Sequence, residues 1–282
     1  MKFQINGGNN TEMKNKEKQI ETLKAILIET TQTKKHQAYQ ILPHSLANMI
    51  NMEGIELRPK YEEERLKCIL QKINVSGKSV LDIGCNTGYF LFELIERGVR
   101  SATGYEGEKF HAKFCEEAIS FLEINNARIV NEYYNFHETE EHFDIVLLLN
   151  VLHHVGDDYG DTGLSMKNTK KAIIEQLNSL SNHADLVVFQ LGFNWKGDIT
   201  KCLFENGTKK EMIDFISNGI KNHYDILSIS VAQKKNGIVY YEDVNENNIK
   251  RDDSLGEFLN RPLFILKSLS FLAFPLAYEP NK

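Results

Sequence analysis

The chemistry-bearing residues concentrate in three short stretches. Residues 80–90 read VLDIGCNTGYF, an apolar run that ends in Gly84-Cys85-Asn86-Thr87-Gly88 before apolar character resumes. Glycines at both ends of a tight turn supply backbone positions where a Cβ would obstruct a ligand or forbid positive φ. Glu106 follows eighteen residues after Gly88, at the end of the next apolar run. Its two carboxylate oxygens match the vicinal diol of a ribose. A plain strand-turn-helix with an exposed acid competes with this reading, but the acid at that interval favours a nucleoside site. The third stretch is Asn150-Val151-Leu152-His153-His154, where two imidazoles able to exchange a proton near neutrality follow another apolar run.

The kind of nucleoside can be narrowed. A dinucleotide site prefers Gly-x-Gly-x-x-Gly, whose middle glycine admits a pyrophosphate at a helix N-terminus. Here the middle place is Asn86 and the third falls on Leu91. Asp82, inside the strand end, is poorly placed for an anion and well placed to meet a cation. A positively charged aminoacyl nucleoside therefore fits better than a diphosphate, and a nicotinamide oxidoreductase is the weaker alternative.

The elements that must position these residues follow from periodicity. The first third reads as helical: 11–31, a short helix at 45–52 after Pro43, and 59–73 with Pro59 near its first turn. From Gly77 onward strands and helices alternate: strands at 79–84, 102–106, 127–130, 143–150 and 185–191, and helices at 89–97, 109–122, 167–180 and 209–221. Strand-helix alternation at this spacing predicts right-handed βαβ units and a parallel sheet. The runs 226–232 and 238–244 flank Asn236-Gly237, a strong hairpin signal, and 262–269 opens with Pro262 as a last strand.

With these motifs in place, the chain resembles the class I S-adenosylmethionine-dependent methyltransferases. VLDIGCNTGYF resembles their first motif, with Asn86 where glycine is usual; GYEGE at 104–108 resembles the second and FDIVLLLNVLHHV at 143–155 the fourth. The resemblance covers roughly residues 59–270. It implies a Rossmann-like α/β fold: a seven-stranded, mostly parallel sheet with an antiparallel last strand, plus an N-terminal helical extension. It implies domains at 1–57 (helical extension or lid), 58–270 (methyltransferase domain) and 271–282 (C-terminal tail). It also implies S-adenosyl-L-methionine as cofactor, held by Asp82, Gly84, Cys85, Asn86, Gly88, Glu106, Glu132 and Asn150. Glu132 stands where the family's usual Asp after strand three is absent.

Methyl transfer from a sulfonium is an in-line displacement, and a hydroxyl acceptor must also lose its proton. His154 is the preferred base and His153 the second, with a backbone-bonded structural histidine as the competing role. Oxygen is favoured over nitrogen because no Asn/Asp-Pro-Pro-Tyr/Phe segment closes strand four. Asn194, Trp195 and Lys196, on a Gly-flanked loop, are candidates for holding a small polar substrate; a tryptophan plugging the loop onto the core is the equal alternative. Arg58, Tyr61 and Arg65 read first as a solvated helix face, with the methionine carboxylate or an anionic substrate as the functional option. Asp157, Asp158 and Asp161 lack the spacing of a calcium loop, and no metal is expected.

Among the 282 residues, 33 Lys and Arg against 39 Asp and Glu give a net charge of −6, which argues against a broad nucleic-acid surface. The expected partner is a small molecule, with nucleic acid disfavoured and no membrane. A tRNA-modifying transferase remains the alternative, with Lys34-Lys35, Lys170-Lys171, Lys209-Lys210 and Lys234-Lys235 as its footprint. Four dispersed cysteines and no apolar leader suit the cytoplasm.

Overall fold

The computed structural model describes residues 10–32, 40–137 and 141–270; Lys34-Lys35 and the expected tail at 271–282 lie outside them. Three helices come first: α1 (Asn10–Gln32), α2 (His44–Ala47) and α3 (Glu62–Lys72). Then β1 (Ser79–Ile83), α4 (Tyr89–Glu96), β2 (Ser101–Tyr105), α5 (Lys109–Phe121), β3 (Ala127–Val130), β4 (Phe143–Leu149), α6 (Met166–Ser179), β5 (Ala184–Gln190) and α7 (Lys209–Ile220) alternate as the spacing predicts. The chain closes with β6 (Tyr224–Lys235), β7 (Ile238–Asp243), the short α8 (Gly256–Leu259) and β8 (Leu263–Ser268).

The sheet order is β3-β2-β1-β4-β5-β8-β6-β7. The first five strands are parallel, whereas β8 runs antiparallel between β5 and β6. Eight strands stand where seven were expected. Both arms of the 236–237 hairpin join the sheet, because the positive φ of Asn236 (52°) and Gly237 (83°) matches the strand twist. One helix start and one helix end also differ from the sequence reading. Pro59 lies outside α3, whose cap Tyr61 has φ 59°, and α2 ends at Ala47.

Both faces of the sheet are covered, so the central strands are apolar on successive residues. Ile145, Leu147 and Leu149 pack on the α1/α3/α4 side, and Val146 and Leu148 on the α6/α7 side. The N-terminal segment is fastened to the same body. Leu23 and Leu27 of α1 are buried, and α1 lies against α5. His44 reaches Glu93 of α4 at 2.7 Å, and the Gln40 side chain accepts from the Tyr89 amide at 3.0 Å.

The strand order reverses between β1 and β4, and in such sheets ligands bind beyond the carboxyl ends at that point. The β1–α4 turn lies there. Gly84 sits at φ 72°, and a Cβ on it would come within 2.8 Å of Val151 Cγ2. Gly84→Ala is therefore expected to lower unfolding free energy by about 1–3 kcal/mol, read as a fallen urea midpoint with an unchanged slope.

Candidate donor and acceptor site

One cleft opens at this edge, and its walls come from four loops. Gly84 and Asn86 line it from the β1–α4 turn; Glu106, Glu108 and His111 from the entry to α5; Glu132, Tyr133, Tyr134 and Phe136 after β3; Asn150, Val151, His154, Asp158 and Tyr159 after β4.

Glu106 organises the first two loops. Its carboxylate accepts from the Asn86 amide at 2.7 Å and from the Glu108 amide at 2.8 Å, so the acid is aimed by the backbone before any diol arrives. Asn86, at φ 51°, meets His111 Nδ1 through its side-chain amide at 3.1 Å. Asn131 donates to the Glu106 carbonyl at 2.8 Å and ties the β3 loop to the same corner. Beyond it the walls are aromatic. The Tyr133 ring covers Gly107, and Tyr133 and Tyr159 lie nearly parallel with centroids 6.3 Å apart. Flat walls suit a flat ring by stacking.

Other residues expected at the donor site stand behind this surface. Asp82, Cys85 and Gly88 are buried and do not line the cleft. Asp82 is 3% exposed, and its Oδ2 has no hydrogen-bond partner among the described residues. Burial, with the Glu106 charge nearby, pushes its carboxyl up to about 7 against a partial pull from Arg65. The folded chain thus holds a proton on Asp82 that the unfolded chain releases near pH 4. By linkage this group makes stability fall as pH rises from about 4 to 7. Asp82→Asn should flatten that slope and melt above the wild type at pH 8, as thermal unfolding across pH would report. An ammonium group beside the carboxylate would reverse the penalty.

At the other end, Asn150 has φ 64°. It donates to Gln190 Oε1 at 3.0 Å and accepts from Arg261 Nη1 at 2.8 Å. The two histidines differ in environment. His153 is 3% exposed, outside the cleft, and its Nδ1 accepts a long bond from the Gly192 amide at 3.4 Å. Burial, helped by His154 and Arg261, holds its pKa well below the usual imidazole range, so it is neutral. His154 faces the cleft with Nδ1 3.4 Å from Asp158 Oδ2.

Asn194, Trp195 and Lys196 are not among the cleft-lining residues. The Trp195 indole is 8% exposed and donates to the Val155 carbonyl at 2.7 Å, while Lys196 donates to Gly156 and lies over the Trp195 ring. These residues buttress the loop that carries His154 and Asp158, which is the plugging alternative. Arg65 departs from the solvated face expected of it: it is 2% exposed. Of the lining residues, the sequence reading gave no role to His111 and Tyr159, weighed Asp158 only as a metal ligand, and reached Tyr133 only as part of the 131–134 segment expected beside the adenine. The aromatic pair lies 26 positions apart in the chain and carries no periodic signal.

Of the lysine pairs, Lys209 is fully buried with its ammonium on the Asn248 carbonyl at 3.0 Å. Lys171 pairs with Glu175 and Lys210 with Asp214.

Comparison with known proteins agrees with this geometry. Residues 56–191 match a family model described as a methyltransferase domain. A tRNA U34 carboxymethyltransferase of Nautilia profundicola is 32% identical over 87 residues, covering 30% of this chain and 28% of that protein. A tRNA U34 carboxymethyltransferase of Helicobacter pylori is 27% identical over 146 residues, or 50% and 51% of the two chains. The chain thus spans about half, or less, of the curated relatives it matches. Among solved structures, WbdD in complex with the kinase inhibitor LY294002 superposes with TM-score 0.56 at 16% identity over 88% of this chain and 47% of that one, a likeness of fold.

The expectation that nucleic acid is disfavoured as a partner is overturned by these relatives, whose names place their action on tRNA. Net charge was the wrong guide because it averages over the whole surface, whereas nucleic-acid contact depends on local charge. The nicotinamide alternative finds no support in the family match. No described helix is long and apolar enough to cross a membrane.

The residues present also fit the cofactor that the motifs imply. The turn at Gly84 leaves room for a ligand, Glu106 suits its ribose diol, and a buried acid with an idle oxygen lies beyond. The family match and the ordered motifs together place a methyltransferase domain at residues 56–191, of the class I S-adenosylmethionine-dependent kind.

Proposed function

We propose that this chain transfers a methyl group from S-adenosylmethionine to a hydroxyl oxygen of a polar acceptor, with His154 taking the hydroxyl proton. When bound, S-adenosylmethionine supplies an electrophilic methyl on a sulfonium. In this reading Glu106 holds the ribose, Gly84 and Asn86 admit the donor's chain, and the aromatic walls after β3 flank the adenine. Asp158 orients the His154 imidazole so that one ring nitrogen is presented to the acceptor. The observation that carries the reading is that the Glu106 corner and the His154–Asp158 pair line one cleft at a single sheet edge.

The transferred group is read as methyl and not carboxymethyl. Four carboxylates line the cleft (Glu106, Glu108, Glu132 and Asp158), and no Lys or Arg is among its lining residues. A donor bearing a second carboxylate beside the sulfonium would meet acids there instead of a cation.

A tRNA nucleoside is the second reading of the acceptor. The relatives' names favour it, and the aromatic walls are compatible with an extruded base. Turnover to S-adenosylhomocysteine, measured with total tRNA and separately with small hydroxylated acceptors, tests both. Product with tRNA alone selects the nucleoside, product with small acceptors alone selects a small molecule, and donor binding without either product would oppose the enzymatic reading.

A further inference from the structure

A closed ring of hydrogen bonds joins the carboxyl ends of β4 and β5 to the start of β8. Asn150 Oδ1 accepts from Arg261 Nη1 at 2.8 Å, Asn150 Nδ2 donates to Gln190 Oε1 at 3.0 Å, and Gln190 Nε2 donates to the Arg261 carbonyl at 3.0 Å. Glu257 of α8 fixes the guanidinium, accepting from Arg261 Nε at 3.0 and 3.1 Å, and its Oε1 also accepts from the Phe193 amide at 2.9 Å. The Phe258 ring centroid lies 4.9 Å from the same guanidinium. Arg261 does not line the cleft, whereas Asn150 does. The ring therefore decides which way round the Asn150 amide sits. Only the amide oxygen can meet a guanidinium, which has donors alone. Gln190 takes one Nδ2 hydrogen, and the other meets no further residue among those described. With φ at 64°, backbone and side chain of Asn150 are both held. A cation on the amide oxygen also draws density from the nitrogen and strengthens its N–H as a donor.

We infer that Arg261 is a positioning residue that acts through Asn150, turning its amide so that an N–H, and not a carbonyl oxygen, is offered to the acceptor oxygen while His154 removes that oxygen's proton. The inference rests on the methyl-transfer reading of the cleft. Asn150 opens the loop that carries His154 and Asp158, whereas Glu106, Glu108, Glu132 and Asp158 line the cleft with carboxylates, which accept hydrogen bonds and give none. In the step itself the hydroxyl proton goes to His154 and the freed oxygen pair forms the bond to the methyl carbon. The electron pair of the broken carbon–sulfur bond stays on sulfur. Negative charge grows on the oxygen as its proton leaves, and a donor already oriented toward it stabilises that charge without reorganising.

Turnover and binding together test this. Formation of S-adenosylhomocysteine is followed with whichever of total tRNA and the small hydroxylated acceptors the wild type methylates, beside calorimetric binding of S-adenosylhomocysteine. Arg261→Gln should lower kcat/KM for the acceptor by about 10–100-fold, the scale of a misplaced reacting group, and bind S-adenosylhomocysteine within about threefold of the wild type. Arg261→Lys, which restores a cationic donor, should recover part of the loss. Asn150→Ala should lose as much as Arg261→Gln, and the double variant no more than Asn150→Ala alone, because one residue acts through the other. Asn150→Asp keeps an oxygen for Arg261 and removes the N–H, so it tests the amide even where Arg261→Gln does not fold; it should fall to the level of Asn150→Ala. Normal turnover per folded molecule in Asn150→Asp or Arg261→Gln overturns the inference. Losses that add in the double variant overturn it in favour of a separate structural role for Arg261. A fall in S-adenosylhomocysteine affinity that matches the fall in kcat/KM overturns it by placing the amide at the donor. A wild type that binds S-adenosylhomocysteine but forms product with neither class of acceptor fails the methyl-transfer reading and takes this inference with it.

Discussion

Replacing Glu106 with alanine should weaken S-adenosylhomocysteine binding by about 1.5–3 kcal/mol, the worth of hydrogen bonds to a charged group. That corresponds to roughly 10–150-fold in Kd. The expectation is not limited to two lost diol contacts. The same carboxylate accepts from the Asn86 and Glu108 amides, so its removal also releases the β1–α4 turn from the entry to α5. Glu106→Gln isolates the two effects. An amide keeps one oxygen acceptor and replaces the other with a donor that clashes with a backbone N–H, so it should fall between wild type and alanine. Calorimetry of the three proteins reads the order directly, and unaltered affinity in both variants would remove Glu106 from the donor site.

Replacing His154 with alanine should lower turnover by about 10²–10⁴, the range supplied by a positioned acid or base. Donor affinity should be retained if the proposed reading holds, because His154 lines the cleft from the loop after β4 and not from the Glu106 corner. The partner substitution, Asp158→Asn, leaves an imidazole in place but without the carboxylate 3.4 Å from Nδ1, and should give a smaller loss. His153→Ala provides the contrast. Its ring is buried under Gly192, where a Cβ on that glycine would lie 2.7 Å from the imidazole. Its loss should therefore appear as a lowered melting temperature, through a cavity at the β4–β5 ends, with activity per folded molecule close to the wild type. Normal turnover in His154→Ala would exclude it as the base.

How far the site was legible in the sequence varies residue by residue. The turn at Gly84–Gly88 and the acid at Glu106 were legible because short-range geometry dictates them: a strand must end, a tight turn must form, and the next strand returns alongside after one helix. Asn236-Gly237 was legible for the same reason. Lys209 was not. Its side chain reads as a surface charge, yet it is buried against the Asn248 carbonyl from a distant loop. Trp195 left two roles open in the sequence; in the fold its indole N–H meets the Val155 carbonyl, forty residues earlier, a contact no local pattern announces.

The amino-acid sequence by itself determined the order of elements, the parallel core and the meeting of Glu106 with the β1–α4 turn, because periodicity and turn chemistry act between neighbours along the chain. Only the tertiary structure decided which histidine faces the cleft, that Asp82 is buried with an idle oxygen, and that Arg65 is caught between Phe90 and Phe258. Each of those outcomes depends on burial among groups that the fold gathers, such as Phe90 and Phe258, which lie 25 and 193 residues from Arg65, and burial of that kind is a property of the packed core, not of any local pattern.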